Sequence, residues 1–346
     1  MLPDEKSAAV ARGLREAFGV SAFEEIRPLA GGHTSSLVFR IVVGGTPYLL
    51  KIILRTEDPT RHFTCMKAAA AAGLAPRVRY ASIEDRLFIT DFVETQPFPL
   101  DQAAVLLPRV LRALHALPPS GLPCHFNTTC TFLLTPGPFV DGFLRKFQES
   151  NTLGKGDSDE LLAWFAQLSQ VCRRLDSDTV LSHNDLFKPD NILYDGRHIW
   201  LVDWEASFDN DRYADLAAVA NLCVINQHEE QTYLAEYFGQ APDEYQRARF
   251  FLMRQLVHMF YAFAFLTMGS TGDPAASRIP VDFDDLRRRM WAGEDHFSDN
   301  ETKGLHGRAH WQQLVRNLRQ PRWHEALRIV ARGDRRSAAD SAGRFL

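Results

Sequence analysis

Apolar and polar positions follow two different periods along this chain of 346 residues. Residues 4–17 have the spacing of an amphipathic helix, and short apolar runs typical of strands follow between residues 23 and 93. Beyond residue 100 the spacing is mostly that of helices, interrupted by short strands around residues 180–202. The pattern therefore predicts a β-rich first part and a larger, mostly helical second part.

The first part contains five predicted strands and one main helix. The helix opens at Asp58-Pro59 and ends before Gly73, because proline is accepted in the first helical turn and glycine ends helices. The second and third strands flank Gly44-Gly45 and form a predicted hairpin. The five predicted strands are residues 23–29, 37–43, 48–54, 77–83 and 87–93.

A polar stretch from Ser182 to Glu205 holds the candidate chemistry. It contains two short strands joined by Asp195-Gly196, a common hairpin turn. A hairpin with a polar loop at one end and an acid at the other brings Asp185, Asn191 and Asp203 close together. Phosphoryl transfer needs a carboxylate that accepts a hydroxyl proton, and amide and carboxylate oxygens that hold Mg²⁺. The alternative is a polar loop between buried strands that merely collects acids.

The pattern His183-x-Asp185-x5-Asn191, with Asp203 twelve residues later, resembles the catalytic loop and metal-binding acid of the protein-kinase-like phosphotransferases. Protein kinases usually carry Phe-Gly after that acid, whereas this chain carries Trp204-Glu205. Within the group it therefore most resembles the aminoglycoside phosphotransferase and choline/ethanolamine kinase families, which act on small molecules.

This resemblance implies a protein-kinase-like bilobal fold of the α+β class. The N-lobe, residues 1–94, would hold a five-stranded antiparallel sheet with one main helix and would cover the nucleotide. The C-lobe, residues 95–346, would be larger and mostly helical. It would carry the catalytic loop, residues 183–191, and the acceptor-binding helices.

The resemblance also implies a role for each polar residue of the loop. Asp185 would orient the acceptor hydroxyl and accept its proton, while Asn191 and Asp203 would hold Mg²⁺ against the phosphates of ATP. Lys188 would lie near the γ-phosphate, where a cation offsets developing charge. His183 would brace the loop rather than react.

Lys51 is a candidate phosphate ligand in the first part. It lies in a run that is otherwise almost wholly apolar, and alternation places it on one strand face with Leu49 and Ile53. A cation on such a face is costly unless an anion meets it. The phosphates of a nucleotide would supply that anion, and the third strand of kinase-like lobes carries such a lysine. The alternative is a lysine that extends to water from an edge strand.

Two further segments are candidates for nucleotide contact. The turn formed by Gly31, Gly32, His33, Thr34 and Ser35 could cover phosphates with backbone N–H groups, or could be a simple hairpin turn. By resemblance, Asp91, Phe92 and Val93 form the hinge whose backbone would bind an adenine edge. An ordinary interdomain linker is the other interpretation of that segment.

The resemblance also raises the roles of several acids. A glutamate early in the main helix usually pairs with the strand lysine, but residues 60–72 contain no acid, so Glu57 or Asp58 would substitute or another residue would orient Lys51. Glu205 either contacts a second metal ion or forms a salt bridge. Asp215 would hold the catalytic loop through hydrogen bonds.

The acceptor site is expected among aromatic residues of the second part. The helical stretch from residue 243 to 268 is rich in phenylalanine and serves either as core or as a wall of the acceptor pocket. Aromatic faces beside acids suit an ammonium group through cation–π attraction. The candidates are Tyr261, Trp291, Asp209 and Asp211.

Composition narrows the class of protein. The net charge of −4 and the lack of a basic stripe argue against nucleic-acid binding. No apolar run approaches the ~20 residues that span a bilayer, so no membrane partner is expected. Five scattered cysteines imply no disulfide framework. A cytoplasmic protein is expected, whereas its oligomeric state is left open.

Three functions remain in play at this point. The first is an ATP- and Mg²⁺-dependent kinase that phosphorylates a hydroxyl of an amino alcohol such as choline or ethanolamine. The second is an enzyme like the aminoglycoside phosphotransferases. The third is a nucleotide-binding protein of the same fold without turnover, which the missing helix glutamate suggests.

Overall fold

The computed structural model describes residues 2–29, 36–121, 138–172, 178–295 and 299–342. Its elements in chain order are α1 (Asp4–Phe18), β1 (Glu25–Pro28), β2 (Ser36–Val43), β3 (Thr46–Ile53), α2 (Thr60–Ala71), β4 (Val78–Ser82), β5 (Leu87–Asp91), α3 (Ala103–His115), α4 (Pro138–Glu149), α5 (Lys155–Val171), β6 (Thr179–Ser182), β7 (Ile192–Tyr194), β8 (Ile199–Leu201), β9 (Phe208–Asp211), α6 (Arg212–Cys223), α7 (Gln227–Phe238), α8 (Glu244–Met268), α9 (Phe283–Trp291), α10 (Asn300–Leu318) and α11 (Pro321–Ala342).

The first five strands form one antiparallel sheet in the order β1-β2-β3-β5-β4. The β2–β3 hairpin turns through Gly44 and Gly45, which have φ values of 58° and 71° that glycine adopts without strain. Both glycine N–H groups donate to the Glu24 carboxylate, at 2.7 and 3.0 Å. The predicted five-stranded antiparallel sheet and its central hairpin are therefore confirmed.

The chain divides into two compact units. The first contains Met1–Phe98, Ser120–Leu122 and Asn191–Phe208, so the β7–β8 hairpin packs with the sheet rather than with the helices that precede it in sequence. Its core joins α1 to the sheet, with Val10 and Leu14 buried among strand residues such as Ile41. The second unit contains Pro99–Pro119, Pro123–Asp190 and Asp209–Leu346 and is mostly helical.

Helix α8 is the central element of the second unit. It begins with a capping box in which Asp243 and Gln246 satisfy each other's backbone N–H groups. By length and composition alone it could cross a membrane, but 78% of its apolar window is buried, as in the core helix of a folded domain.

Helix α10 crosses α8 at very short range. A methyl group added at Gly307 would lie 2.5 Å from the backbone nitrogen of Leu266. The close approach of these two helices therefore requires glycine at that position.

Candidate active site

Lys51 and Asp203 lie 152 positions apart in sequence and form an ion pair in the first unit. The Lys51 Nζ atom donates to Asp203 Oδ1 at 2.6 Å, and the two side chains are 12% and 24% exposed. Lys51 is held in place by its position inside β3, opposite Val38 of β2 and Phe88 of β5. Of the alternatives left open by the sequence, the structure shows the one in which another residue orients Lys51, because its carboxylate contact is with Asp203 rather than with Glu57 or Asp58.

Asn191 and Asp203 lie at the same end of the β7–β8 hairpin. Ile192 pairs with Leu201, and the Val202 N–H donates to the Asn191 carbonyl at 3.0 Å. Asn191 directly precedes this closing pair and Asp203 follows it by two residues, so both lie at the same end of the hairpin, as the hairpin pattern predicts. Asp203 has φ 67° and ψ 59°, a left-handed conformation that costs a non-glycine residue roughly 1–2 kcal/mol.

Glu205 forms an ion pair, one of the two roles left open by the sequence. Its Oε2 atom lies 2.9 Å from Arg55 Nη2, and both side chains are about a quarter exposed. Its backbone carbonyl accepts a hydrogen bond from Arg61 Nη2 at 3.1 Å. This geometry favours an anchoring role for Glu205 over direct metal contact.

The predicted hinge already uses part of its hydrogen-bonding capacity. The Asp91 N–H donates to the Arg77 carbonyl at 2.9 Å, and its carboxylate is bound by Arg79 at 2.5 and 3.1 Å. An adenine edge would therefore have to use other backbone groups of Phe92 and Val93. The turn Gly31–Ser35 lies outside the described residues.

In the second unit, the predicted base and cation of the catalytic loop contact each other. Lys188 Nζ lies 3.4 Å from Asp185 Oδ2, and the two side chains are 18% and 17% exposed. Both remain accessible to a ligand at this degree of burial. Phe187, between them in sequence, packs its ring 4.5 Å from that of Tyr261 on α8.

Asp215, in the first turn of α6, holds the start of the catalytic loop. Its two oxygens accept hydrogen bonds from the backbone N–H groups of His183 and Asn184, at 2.7 and 2.8 Å. His115 Nε2 lies 3.2 Å from the same carboxylate, and His115 Nδ1 lies 2.7 Å from the Tyr237 hydroxyl. The hydrogen bonds that the resemblance implies for Asp215 are thus confirmed.

The charge state of Asp215 follows from these contacts. Burial acting alone would raise the pKa of this carboxyl, but hydrogen bonding and electrostatic attraction from His115, with the contribution of His183, lower it below its ordinary value. Asp215 is therefore an ionised, fully buried acceptor that fixes the loop backbone.

The two acids proposed for acceptor contact differ in accessibility. Asp211 is fully buried, pairs with Arg249 at 2.6 Å, and accepts from the Tyr213 N–H as the cap of α6. This geometry favours a structural role for Asp211. Asp209 is half-buried in β9.

The two aromatic candidates are largely packed against other helices. The Trp291 indole N–H donates to the Leu222 carbonyl at 3.1 Å. Tyr261 is 3% exposed and, with Phe187, His306 and His310, borders an enclosed cavity of about 10 Å³. Such a cavity holds at most about one water molecule, so an acceptor would require the helices around it to separate.

The donor set at the hairpin edge fits Mg²⁺. Asp203 offers a carboxylate and Asn191 an amide oxygen, and Mg²⁺ is commonly held by one or two such groups with phosphate oxygens and water completing the shell. Among the residues that the structure describes, no group of three or more His, Cys, Asp or Glu side chains is placed to hold a metal ion. The chain thus suits a metal that arrives with a phosphate ligand.

Two contributors, one in each unit, were not found from sequence. In the first unit Arg61 contacts a backbone carbonyl, and in the second unit Tyr237 contacts His115. His115 is itself buried. A contact between a side chain and a backbone carbonyl leaves no sequence signal that could have identified Arg61.

Solved structures of several phosphotransferases have a similar fold. A choline/ethanolamine kinase family protein from Mesorhizobium loti superposes with a TM-score of 0.64 at 17% identity, covering 94% of this chain and 99% of that one. A putative aminoglycoside phosphotransferase from Ralstonia eutropha gives 0.56 at 14%, covering 89% and 98%. A spectinomycin phosphotransferase in complex with ADP and spectinomycin gives 0.55 at 12%, covering 93% and 97%.

The fold is therefore the kinase-like one found in small-molecule phosphotransferases. A family model described as the phosphotransferase enzyme family (APH) matches residues 25–251, more than half of the 346 residues. The chain belongs to this family. No curated protein matches the sequence.

Proposed function

We propose that this protein is a small-molecule kinase that transfers the γ-phosphoryl group of ATP to a hydroxyl of its acceptor. The observation that carries the proposal is the Lys51–Asp203 contact at 2.6 Å, in a chain of the phosphotransferase family. This contact places the strand lysine next to the acid proposed to bind Mg²⁺, as is expected where both serve the phosphates of one nucleotide. We place the reaction in the cytoplasm, with no nucleic-acid or membrane partner.

The residues of the catalytic loop would act on the acceptor. Asp185 would accept the hydroxyl proton as the new P–O bond forms. Lys188, which contacts Asp185 at 3.4 Å, would offset the charge that develops on the transferred group. Asp215 would hold the loop backbone in place through the hydrogen bonds that it accepts from the His183 and Asn184 backbone N–H groups.

The nucleotide would be held by residues of the first unit. Asn191 and Asp203 would bind Mg²⁺, which when bound neutralises charge on the phosphate oxygens. Lys51 would meet the α- and β-phosphates, and the Gly31–Ser35 turn would cover them. The hinge backbone at residues 91–93 would bind the adenine edge.

An amino alcohol such as choline or ethanolamine is the first acceptor to test. Similarity to a choline/ethanolamine kinase family protein supports this choice, as does the partly exposed aromatic ring of Phe187 in the catalytic loop. Aminoglycosides are the second class, supported by similarity to a putative aminoglycoside phosphotransferase.

A nucleotide-binding protein without turnover is the competing function. The observation that favours it is the absence of any acid in α2, whose sequence is TRHFTCMKAAAA. Thermal shift with ATP and Mg²⁺, followed by ATP consumption over amino alcohols, sugars and aminoglycosides, separates the three functions. Stabilisation without turnover on the whole panel would favour the competitor.

Two substitutions test the assigned roles. Asp185→Ala should lower kcat by about 10²–10⁴-fold, the usual contribution of a positioned base, while nucleotide binding survives. Asp203→Ala should weaken Mg²⁺-dependent ATP binding itself. Asp190→Ala is the matched control, because this acid lies in the same loop and is exposed. Unchanged turnover in Asp185→Ala would refute the assigned base.

A further inference from the structure

Helix α2 is attached to the segment that follows Asp203. Arg61, in the first turn of α2, donates from Nη2 to the Glu205 carbonyl at 3.1 Å. Cys65, one turn later on the same helix face, places Sγ 3.8 Å from the Ser207 carbonyl. One face of α2 therefore contacts two carbonyls that lie two residues apart.

The backbone at this place is held in an unfavourable conformation. Asp203 is left-handed, with φ 67°, and only three other non-glycine residues in the described part of the chain have positive φ. Such a conformation persists only where neighbouring contacts hold it, and it is found preferentially at functional sites.

Contacts hold Asp203 from both sides along the chain. On the upstream side, the Val202 N–H bonds to the Asn191 carbonyl and the Trp204 indole bonds to the Leu201 carbonyl. On the downstream side, the Glu205 and Ser207 carbonyls are bound by side chains of α2. The helix thus contributes to the support on the downstream side.

We propose that Arg61 is a positioning residue for Asp203, an inference that rests on the function proposed above. The helix that lacks an acid for Lys51 instead uses a guanidinium to fix the carbonyl two residues beyond the metal acid. Helix α2 is then coupled to the metal-binding acid through the backbone that follows it, and Lys51 is oriented by the Asp203 carboxylate rather than by the helix.

If Arg61 served only to anchor α2, its substitution would change thermal stability and turnover in a different way. Anchoring of α2 alone would lower thermal stability and would lower turnover equally at every Mg²⁺ concentration. A positioning role instead raises the Mg²⁺ concentration needed for half-maximal rate. It does not change the affinity for ATP measured without a divalent ion.

The test compares Arg61→Met with Arg61→Lys in the full-length protein. Arg61→Met keeps the length and removes the donors, and should raise the half-saturating Mg²⁺ concentration about tenfold, as expected for the loss of one charge-assisted hydrogen bond. Arg61→Lys, which keeps a cationic donor, should stay within about threefold of wild type. Arg109→Met is the matched control, because that arginine is exposed and pairs with Glu236 on the second unit.

Calorimetric titration of ATP with and without Mg²⁺ accompanies the kinetics. An unchanged Mg²⁺ half-saturation in Arg61→Met would overturn the proposal, whatever happens to its melting temperature. If Arg61→Met does not fold, Arg61→Gln, which keeps a polar side chain without the charge, carries the same expectation.

The failure of this inference can be told from the failure of the proposed function. Wild-type protein that shows no Mg²⁺-dependent ATP binding overturns both. Wild-type protein that binds, with Arg61→Met binding identically, overturns only the role of Arg61.

Discussion

Two left-handed residues, one in each unit, are held in contrasting ways. Asn184, next to the proposed base, has φ 64° and is 5% exposed. Its backbone N–H donates to the Asp215 carboxylate, and its side-chain amide nitrogen donates to the Ser182 carbonyl. Its side-chain oxygen accepts a hydrogen bond from the Asn210 side chain. Asp203 has φ 67°, but its side chain is 24% exposed and its carboxylate is bound by Lys51.

The difference indicates two kinds of preorganisation. The loop that carries the base is fixed by a buried network that no ligand needs to enter. The metal acid is fixed by its backbone neighbours, while its carboxylate stays in partial contact with solvent and is paired with a cation that a ligand can attract. We therefore expect perturbations of the buried network around Asn184 to act mainly on stability, and those around Asp203 mainly on ligand binding.

The largest expected effect is that of Asp215→Ala. The change leaves two buried loop amides and a buried histidine without their acceptor. It should lower the free energy of unfolding by about 3–5 kcal/mol, as breaking a buried ionic contact does. Urea denaturation followed by circular dichroism measures it. Asp209→Ala, which removes a half-buried acid nearby in sequence, should lower the free energy of unfolding far less. Equal losses in the two variants would contradict the assigned role of the buried network around Asp215.

Acid should weaken the second unit through a buried histidine pair. The Nδ1 atoms of His258 and His310 lie 2.9 Å apart, and burial lowers the pKa of His310 to about 3 and holds that of His258 well below its ordinary value. Both stay neutral when folded, whereas unfolded histidine binds a proton below about pH 6.5. The stability that the two neutral rings contribute is therefore fully present above pH 6.5. Below pH 6.5 the free energy of unfolding falls by about 1.4 kcal/mol per pH unit for each ring.

Denaturation at pH 7.5, 6.5 and 5.5 measures that slope. His310→Asn should reduce it by about half, because one titrating ring is removed. A free energy of unfolding that is the same at pH 7.5 and 5.5 would contradict the assignment of neutral, buried rings.

A smaller effect is expected from Tyr237→Phe. The change removes the hydroxyl that bonds to His115 Nδ1 and leaves that nitrogen buried, which should cost about 1–2 kcal/mol. Turnover should change less than twofold, since Asp215 still binds the loop amides. A loss of turnover greater than twofold would show that the hydrogen bonds around Asp215 do more than hold the loop.

The smallest effect is expected from Glu205→Gln. Its pair with Arg55 is partly exposed, and such pairs contribute about 0–1 kcal/mol. The half-saturating Mg²⁺ concentration should stay within about twofold of wild type. A rise comparable to that of Arg61→Met would restore Glu205 as a metal contact.

Sequence reasoning succeeded where contacts follow from local register. The turn at Asp195-Gly196 fixes which residues of the hairpin oppose each other, and so places Asn191 and Asp203 at one end. Alternation along β3 likewise places Lys51 on a semi-buried face where an anion is needed. These arrangements depend on neighbours within one element or one hairpin.

Contacts that depend on packing between distant elements could not be predicted. The guanidinium of Arg61 meets a backbone carbonyl, which has no residue-type signature in a sequence. Asp211 was a predicted acceptor contact, but Arg249 on α8 is its buried partner, and the sequence does not indicate this pairing.

The ion pair at residues 51 and 203 has a thermodynamic consequence for the proposed function. Nucleotide that arrives without a divalent ion would draw the amine away and leave a partly buried carboxylate without its counter-charge. A divalent ion held by that carboxylate frees the amine for phosphate. Each ligand therefore raises the affinity for the other, and reciprocity requires the same factor in both directions.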